Sequence, residues 1–237
     1  MPEARILQIL SGGAAHGLVR KLQPAFEEEY GCRLAGSFGA VGAMRDQLVA
    51  GAPCDLLILT ESLIADLSAQ GHAVGATSRP LGVVRTGIAV QLGAQEADLS
   101  SPAALKALLE QASAIYMPDP AKATAGIHFM KMLAGLGLAA AVAAKLRTFP
   151  NGTTAMTELG RSQQTGAVGC TQVPEILSTP GVKLAGLLPE PWGLATTYSA
   201  AVCSHAAEAT LAVHLIGALT AAEAAATRRD CGFDPAR

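Results

Sequence analysis

Aromatic residues are scarce in this chain, at 4% of 237 positions, and charged residues make up only 15%. So few aromatic faces leave little with which to stack nucleobases or sugar rings. A net charge of −2 provides no electrostatic footprint for nucleic acid or an anionic membrane surface. The five cysteines (Cys32, Cys54, Cys170, Cys203 and Cys231) form no CxxC pair. That argues against a thioredoxin motif or a structural zinc site and suits a reducing compartment. His72, His128, His205 and His214 lack ligand spacing to Asp, Glu or Cys, so neither a metal nor another cofactor is expected. The apolar run Leu133–Leu146 is broken by Gly135 and Gly137 and is too short to cross a bilayer, so no membrane insertion is expected. Met1-Pro2-Glu3-Ala4-Arg5 followed by Ile6–Leu10 lacks the basic region, long apolar stretch and cleavage site of an export signal. A cytoplasmic location is therefore expected, or a periplasmic one if a signal peptide has been removed.

What is present is core. Half of the residues are hydrophobic, enough for one large domain or two lobes. Short apolar runs alternate with helical patterns. Strands are predicted at Ile6–Leu10, Leu34–Phe38, Asp55–Leu59, Gly87–Leu92, Ala114–Met117, Ala167–Cys170 and Tyr198–Cys203. Helices are predicted over His16–Tyr30, Ala43–Ala50, Ser62–Gln70, Pro102–Gln111, Thr124–Gly137, Thr154–Arg161 and Ala206–Ala226. This alternation implies an α/β protein with mostly parallel sheets.

Four predicted strand-to-helix loops consist of small residues: Ser11–Ala15, Gly39–Ala43, Pro120–Gly126 and Asn151–Thr154. Small residues let a ligand approach the backbone, and helix N-termini offer unpaired N–H donors with a partial positive charge. Four such loops after strand ends point to convergence on one anion site.

Ser37-Phe38-Gly39, Arg45-Asp46-Gln47 and Ala50-Gly51-Ala52-Pro53-Cys54-Asp55 keep the order and spacing of motifs in the solute-binding proteins related to the molybdate-binding protein. Asp119-Pro120 with Ala125-Gly126, Pro180-Gly181-Val182, Leu188-Pro189 and Cys231-Gly232-Phe233 follow in the same order. The chain resembles that family over nearly its whole length. The resemblance implies two interleaved Rossmann-like lobes of the type II periplasmic-binding-protein fold with a ligand cleft between them. Residues 1–83 and 193–237 would form lobe one, and 84–192 lobe two. Where molybdate binders use hydroxyl and tyrosine donors, the matching positions here are Ala14, Gly42 and Gly169, which argues against molybdate or tungstate. Arg85–Val90 and the stretch from Gln172 to Pro180 are similar to a side branch that includes aconitate isomerase.

On this pattern Ser11, Gly12, Gly13, Ala14, Val41, Gly42, Ala43, Thr124, Ala125 and Gly126 are candidate ligand contacts through the loop backbone. Arg45 suits bidentate carboxylate binding, or else pairs with Asp46. Lys122 would neutralise a second carboxylate, or else is solvated. Thr153, Thr154, Thr171 and Gln172 offer uncharged donors. His16, at a helix start, is a candidate general base or acid, or else a surface histidine. Cys170 is a candidate proton relay, or else a small buried hydrophobe.

The expected function is binding of a small polycarboxylate and its isomerisation by a proton shift that migrates a carbon–carbon double bond, without a cofactor. The alternative is a non-catalytic solute-binding protein that delivers a small anion to the permease of an ABC-type transporter, or an anion sensor.

Overall fold

The computed structural model describes residues 5–236. The chain divides into two compact units, Met1–Val84 with Thr196–Arg237, and Arg85–Ala195.

The first unit opens with β1 (Arg5–Gly12), followed by α1 (His16–Tyr30), β2 (Cys32–Gly39), α2 (Val41–Val49), β3 (Leu56–Thr60) and α3 (Glu61–Ala69). The long strand β4 (Arg79–Gln91) leads into the second unit. There α4 (Pro102–Gln111), β5 (Ile115–Pro118), α5 (Thr124–Gly135), α6 (Ala139–Val142), β6 (Leu146–Phe149) and α7 (Gly152–Arg161) follow in turn. β7 (Val168–Gln172), α8 (Val173–Leu177) and β8 (Val182–Leu187) complete it. β9 (Ala195–Val202) returns the chain to the first unit, which ends with α9 (Ala209–Thr220), α10 (Ala225–Asp230) and β10 (Phe233–Asp234).

Each sheet has a parallel centre with antiparallel additions. β1 lies parallel to both β2 and β3, while β9 runs antiparallel to β3 with Leu56 opposite Val202. In the second unit β5 is parallel to β6 and β7, and β4 is antiparallel to β7 and β8. The antiparallel partners are the two strands that carry the chain between units, together with the late strands β8 and β10.

Local chemistry explains the clearest boundaries. α1 stops at Gly31, whose φ of 58° is the left-handed cap that glycine adopts without a Cβ penalty. α4 starts where the Ser101 hydroxyl accepts from Ala104 N–H, with Pro102 at the first helical position. Leu56, Leu57, Ile58 and Leu59 are all fully buried, which is why β3 reads as an unbroken apolar run.

Asp55 explains one motif. Its buried carboxylate accepts from Gln8 N–H at 2.7 Å and Glu208 N–H at 2.9 Å. It thereby ties the start of β3 to β1 and to the entry of α9.

Some boundaries differ from expectation. The single helix expected over Ala206–Ala226 is two, because the chain turns at Ala221 (φ −52°, ψ 150°). Arg228 stabilises that break by donating to the carbonyls of Leu219 at 2.7 Å and Ala221 at 2.9 Å. β6, α8 and β8 were not expected.

Candidate functional site

Four helix starts were expected to offer open N–H groups, and the structure divides them. β1 ends at Gly12, and the next three residues form a short 3-10 turn into α1 with no side-chain cap. α2 begins after Ala40 and α5 after Ala123, again with no side-chain cap. The leading N–H groups of these helices have no intrahelical partner and carry the positive end of the helix dipole. Uncapped starts also occur elsewhere, as at α9. These three have glycine or alanine in the residues that open the helix: Gly13–Ala15, Ala40 with Gly42 and Ala43, and Ala123 with Ala125 and Gly126.

Close packing explains why the residues must be small. A Cβ on Gly12 would lie 2.8 Å from both the Tyr198 ring and the Val41 side chain. A Cβ on Gly126 would lie 2.3 Å from the Asp119 carbonyl oxygen and 2.6 Å from that of Pro118. The first turn of α5 is thus folded back against the end of β5.

Ser11 in the first loop and Arg45 just after the second already have partners within the chain. Ser11 is buried and donates its hydroxyl to Gly12 O at 2.9 Å. Gly13 and Ala14 are buried, as is Val41, whereas Gly42 and Ala43 are part-exposed. Arg45 is exposed and donates through Nε (3.1 Å) and Nη2 (2.7 Å) to Asp46 Oδ1. On α5, Thr124 is part-exposed while Ala125 and Gly126 are buried. Lys122 is exposed, and its N–H donates to Asp119 Oδ1 at 3.1 Å.

α7 is different, because its N-terminus is filled from inside the protein. Asn151 Oδ1 accepts from Thr154 N–H at 2.8 Å and from the Thr154 hydroxyl at 3.0 Å. Beneath it lies Glu175, a buried carboxylate on α8 that accepts the Thr171 hydroxyl at 2.5 Å. Backbone groups of Gln172, Thr153 and Gly152 also hydrogen-bond to it. Burial pushes the Glu175 carboxyl above the usual glutamate range, and these hydrogen bonds oppose the rise. Gly152 is required here, since a Cβ would lie 2.0 Å from both Glu175 Oε2 and Thr171 Oγ1. Thr171 and Gln172 are both buried, and Thr153 is part-exposed. Glu175 was not legible in the sequence, because α8 is a five-residue helix whose burial depends on tertiary packing.

His16 opens α1, part-exposed, with its ring 4.5 Å from that of Phe38. Burial and the nearby Arg20 charge hold its pKa below the ordinary histidine value. Cys170 lies on β7, wholly enclosed, and burial raises its thiol far above the usual range. A thiol in that state keeps its proton and has no path to a ligand. Among the described residues no group of three or more His, Cys, Asp or Glu is arranged to hold a metal, and no helix is long and apolar enough to cross a membrane.

Two interleaved α/β units with open helix starts after parallel strands define the type II periplasmic-binding-protein architecture. Comparison agrees: the profile of the bacterial extracellular solute-binding proteins matches residues 7–234, and the chain belongs to that family. The periplasmic molybdate-binding protein of Azotobacter vinelandii superposes with a TM-score of 0.81 at 18% identity, covering 98% of this chain and 100% of that one. The sulfate-binding protein SubI of Mycobacterium tuberculosis H37Rv gives 0.74 at 18% identity, covering 98% and 87% respectively. An aconitate isomerase of a Pseudomonas species is 29% identical over 236 residues, 97% of this chain and 87% of its own.

Two expectations are overturned. The chain is not placed among isomerases: its family and fold are those of solute-binding proteins, and one intended proton carrier, Cys170, is sealed in the core. The expected cytoplasmic location gives way to the extracellular setting of the family.

Proposed function

We propose that this protein is the solute-capturing component of an ABC-type importer and that its solute is a small carboxylate anion, handed on to a membrane permease. The observation that carries the proposal is the trio of uncapped helix starts at Gly12–Ala15, Ala40–Ala43 and Ala123–Gly126. They present backbone N–H donors and helix-dipole charge in a family of solute-binding proteins.

The donor inventory favours a carboxylate over a bare tetrahedral oxyanion. A tetrahedral dianion bound without a cation needs many directed donors. Here the Ser11 hydroxyl is committed to Gly12 O, and the α7 start already holds the Glu175 carboxylate. Ala14, Gly42 and Gly169 bring no side-chain donor at all. A planar carboxylate is satisfied by fewer N–H groups, and Thr124 and Thr153, both part-exposed, add side-chain hydroxyls near two helix starts.

Isothermal titration with small mono-, di- and tricarboxylates, beside molybdate and sulfate, tests this. At least one carboxylate is expected to bind 1:1 and more tightly than either oxyanion. Tightest binding of molybdate or sulfate, or no binding by any carboxylate, would overturn the assignment.

A further inference from the structure

Cys203 Sγ lies 3.0 Å from Cys54 Sγ, and Cys54 Sγ in turn lies 3.2 Å from Leu56 O. Both side chains are buried. Cys54 just precedes β3 and Cys203 just follows β9, at the end of the ladder where Leu56 faces Val202 and Cys203 N–H donates to Asp55 O at 2.9 Å. The two sulfurs therefore meet where the outgoing and returning segments of the first unit are already zipped together. Closing the gap to the ~2.05 Å of a disulfide asks each sulfur to move by about half an ångström.

We propose that Cys54 and Cys203 form a disulfide in the exported protein. This rests on the family's extracellular setting, not on the identity of the solute. The reaction is thiol–disulfide exchange with a disulfide oxidant, either a protein or a small molecule such as oxidised glutathione. Cys54 and Cys203 give up two protons and two electrons and gain the S–S bond. The oxidant's S–S bond breaks and takes up both, leaving as two thiols.

The bond has a clear structural use. The cysteines are 149 positions apart, and the first unit consists of Met1–Val84 and Thr196–Arg237. A link between them ties the two separated segments of one unit, closing a loop long enough to restrict the unfolded chain strongly. The hydrogen bond to Cys54, and then burial, push the Cys203 thiol up in the folded state, and both sulfurs are buried. The exchange accordingly takes place during folding, before this corner is sealed.

Refolding the denatured chain in a glutathione redox buffer or in dithiothreitol tests the proposal, with thiols alkylated under denaturing conditions and mapped by non-reducing peptide mass spectrometry. After the glutathione buffer, Cys32, Cys170 and Cys231 are expected to be alkylated and the Cys54 and Cys203 peptides joined. The melting temperature should exceed that of the reduced protein by on the order of 5–15 °C. A Cys54→Ser/Cys203→Ser variant should melt at the same temperature from either buffer. If that variant does not fold, the reduced wild-type chain serves as the comparison. Five alkylated thiols in folded protein from the glutathione buffer, a link between other cysteines, or equal melting of the linked and reduced forms would each overturn it.

Discussion

Thr171 donates its hydroxyl to Glu175 Oε2 at 2.5 Å, and this bond anchors a carboxylate under the first turn of α7. The buried carboxyl there does for the helix what a ligand would otherwise do: it accepts from the leading N–H groups. Glu175→Ala strips these buried donors of their acceptor and is expected to cost about 1–3 kcal/mol. Urea unfolding at neutral pH measures it.

The same carboxyl has a pH signature. Burial holds its folded pKa above the ordinary value, so the folded protein binds this proton more tightly than the unfolded chain. The contribution of Glu175 to stability is therefore full below the usual glutamate range and is lost as pH rises toward the raised folded value. Urea midpoints across that window should fall more steeply for wild type than for Glu175→Gln.

His16 has the opposite sign. Its folded pKa is depressed by burial and Arg20, so below the ordinary histidine value the unfolded chain takes up the proton first. Stability contributed at neutral pH is lost as the solution is acidified through that value. An NMR titration of the ring should show a depressed midpoint, and His16→Gln should flatten the stability slope over the same interval.

Gly126→Ala tests the close approach at the start of α5. The added methyl would meet the Asp119 and Pro118 carbonyls at 2.3 and 2.6 Å, backbone atoms that cannot swing aside. A loss of about 1–3 kcal/mol is expected in denaturant unfolding, with weaker solute binding because the helix start must shift.

Much of this architecture was legible in the sequence because local signals agreed with the tertiary outcome. Pro102 marked one helix start, Gly31 one helix end, and the buried run of β3 one central strand. β8 escaped because Val182–Leu187 is mostly part-buried and shows no clean alternation. Of the site, the small-residue helix starts could be read, since glycine and alanine after a strand imply close backbone packing. Whether a given start is open or already filled could not be read, because Glu175 reaches α7 only through the packing of α8. Arg45 looked equally suited to a ligand or to Asp46 until its geometry placed both nitrogens on Asp46 Oδ1.

The proposed anion contact at the open start of α2 is the part of this reading most directly open to test. Gly42, part-exposed in the first turn of that helix, is the place to challenge it. An aspartate there complements the helix dipole but occupies and repels at the anion position. Isothermal titration of Gly42→Asp beside wild type, with the carboxylate that binds best, should show affinity reduced roughly tenfold or more while the melting temperature is unchanged or higher. Wild-type affinity retained in Gly42→Asp would contradict the account.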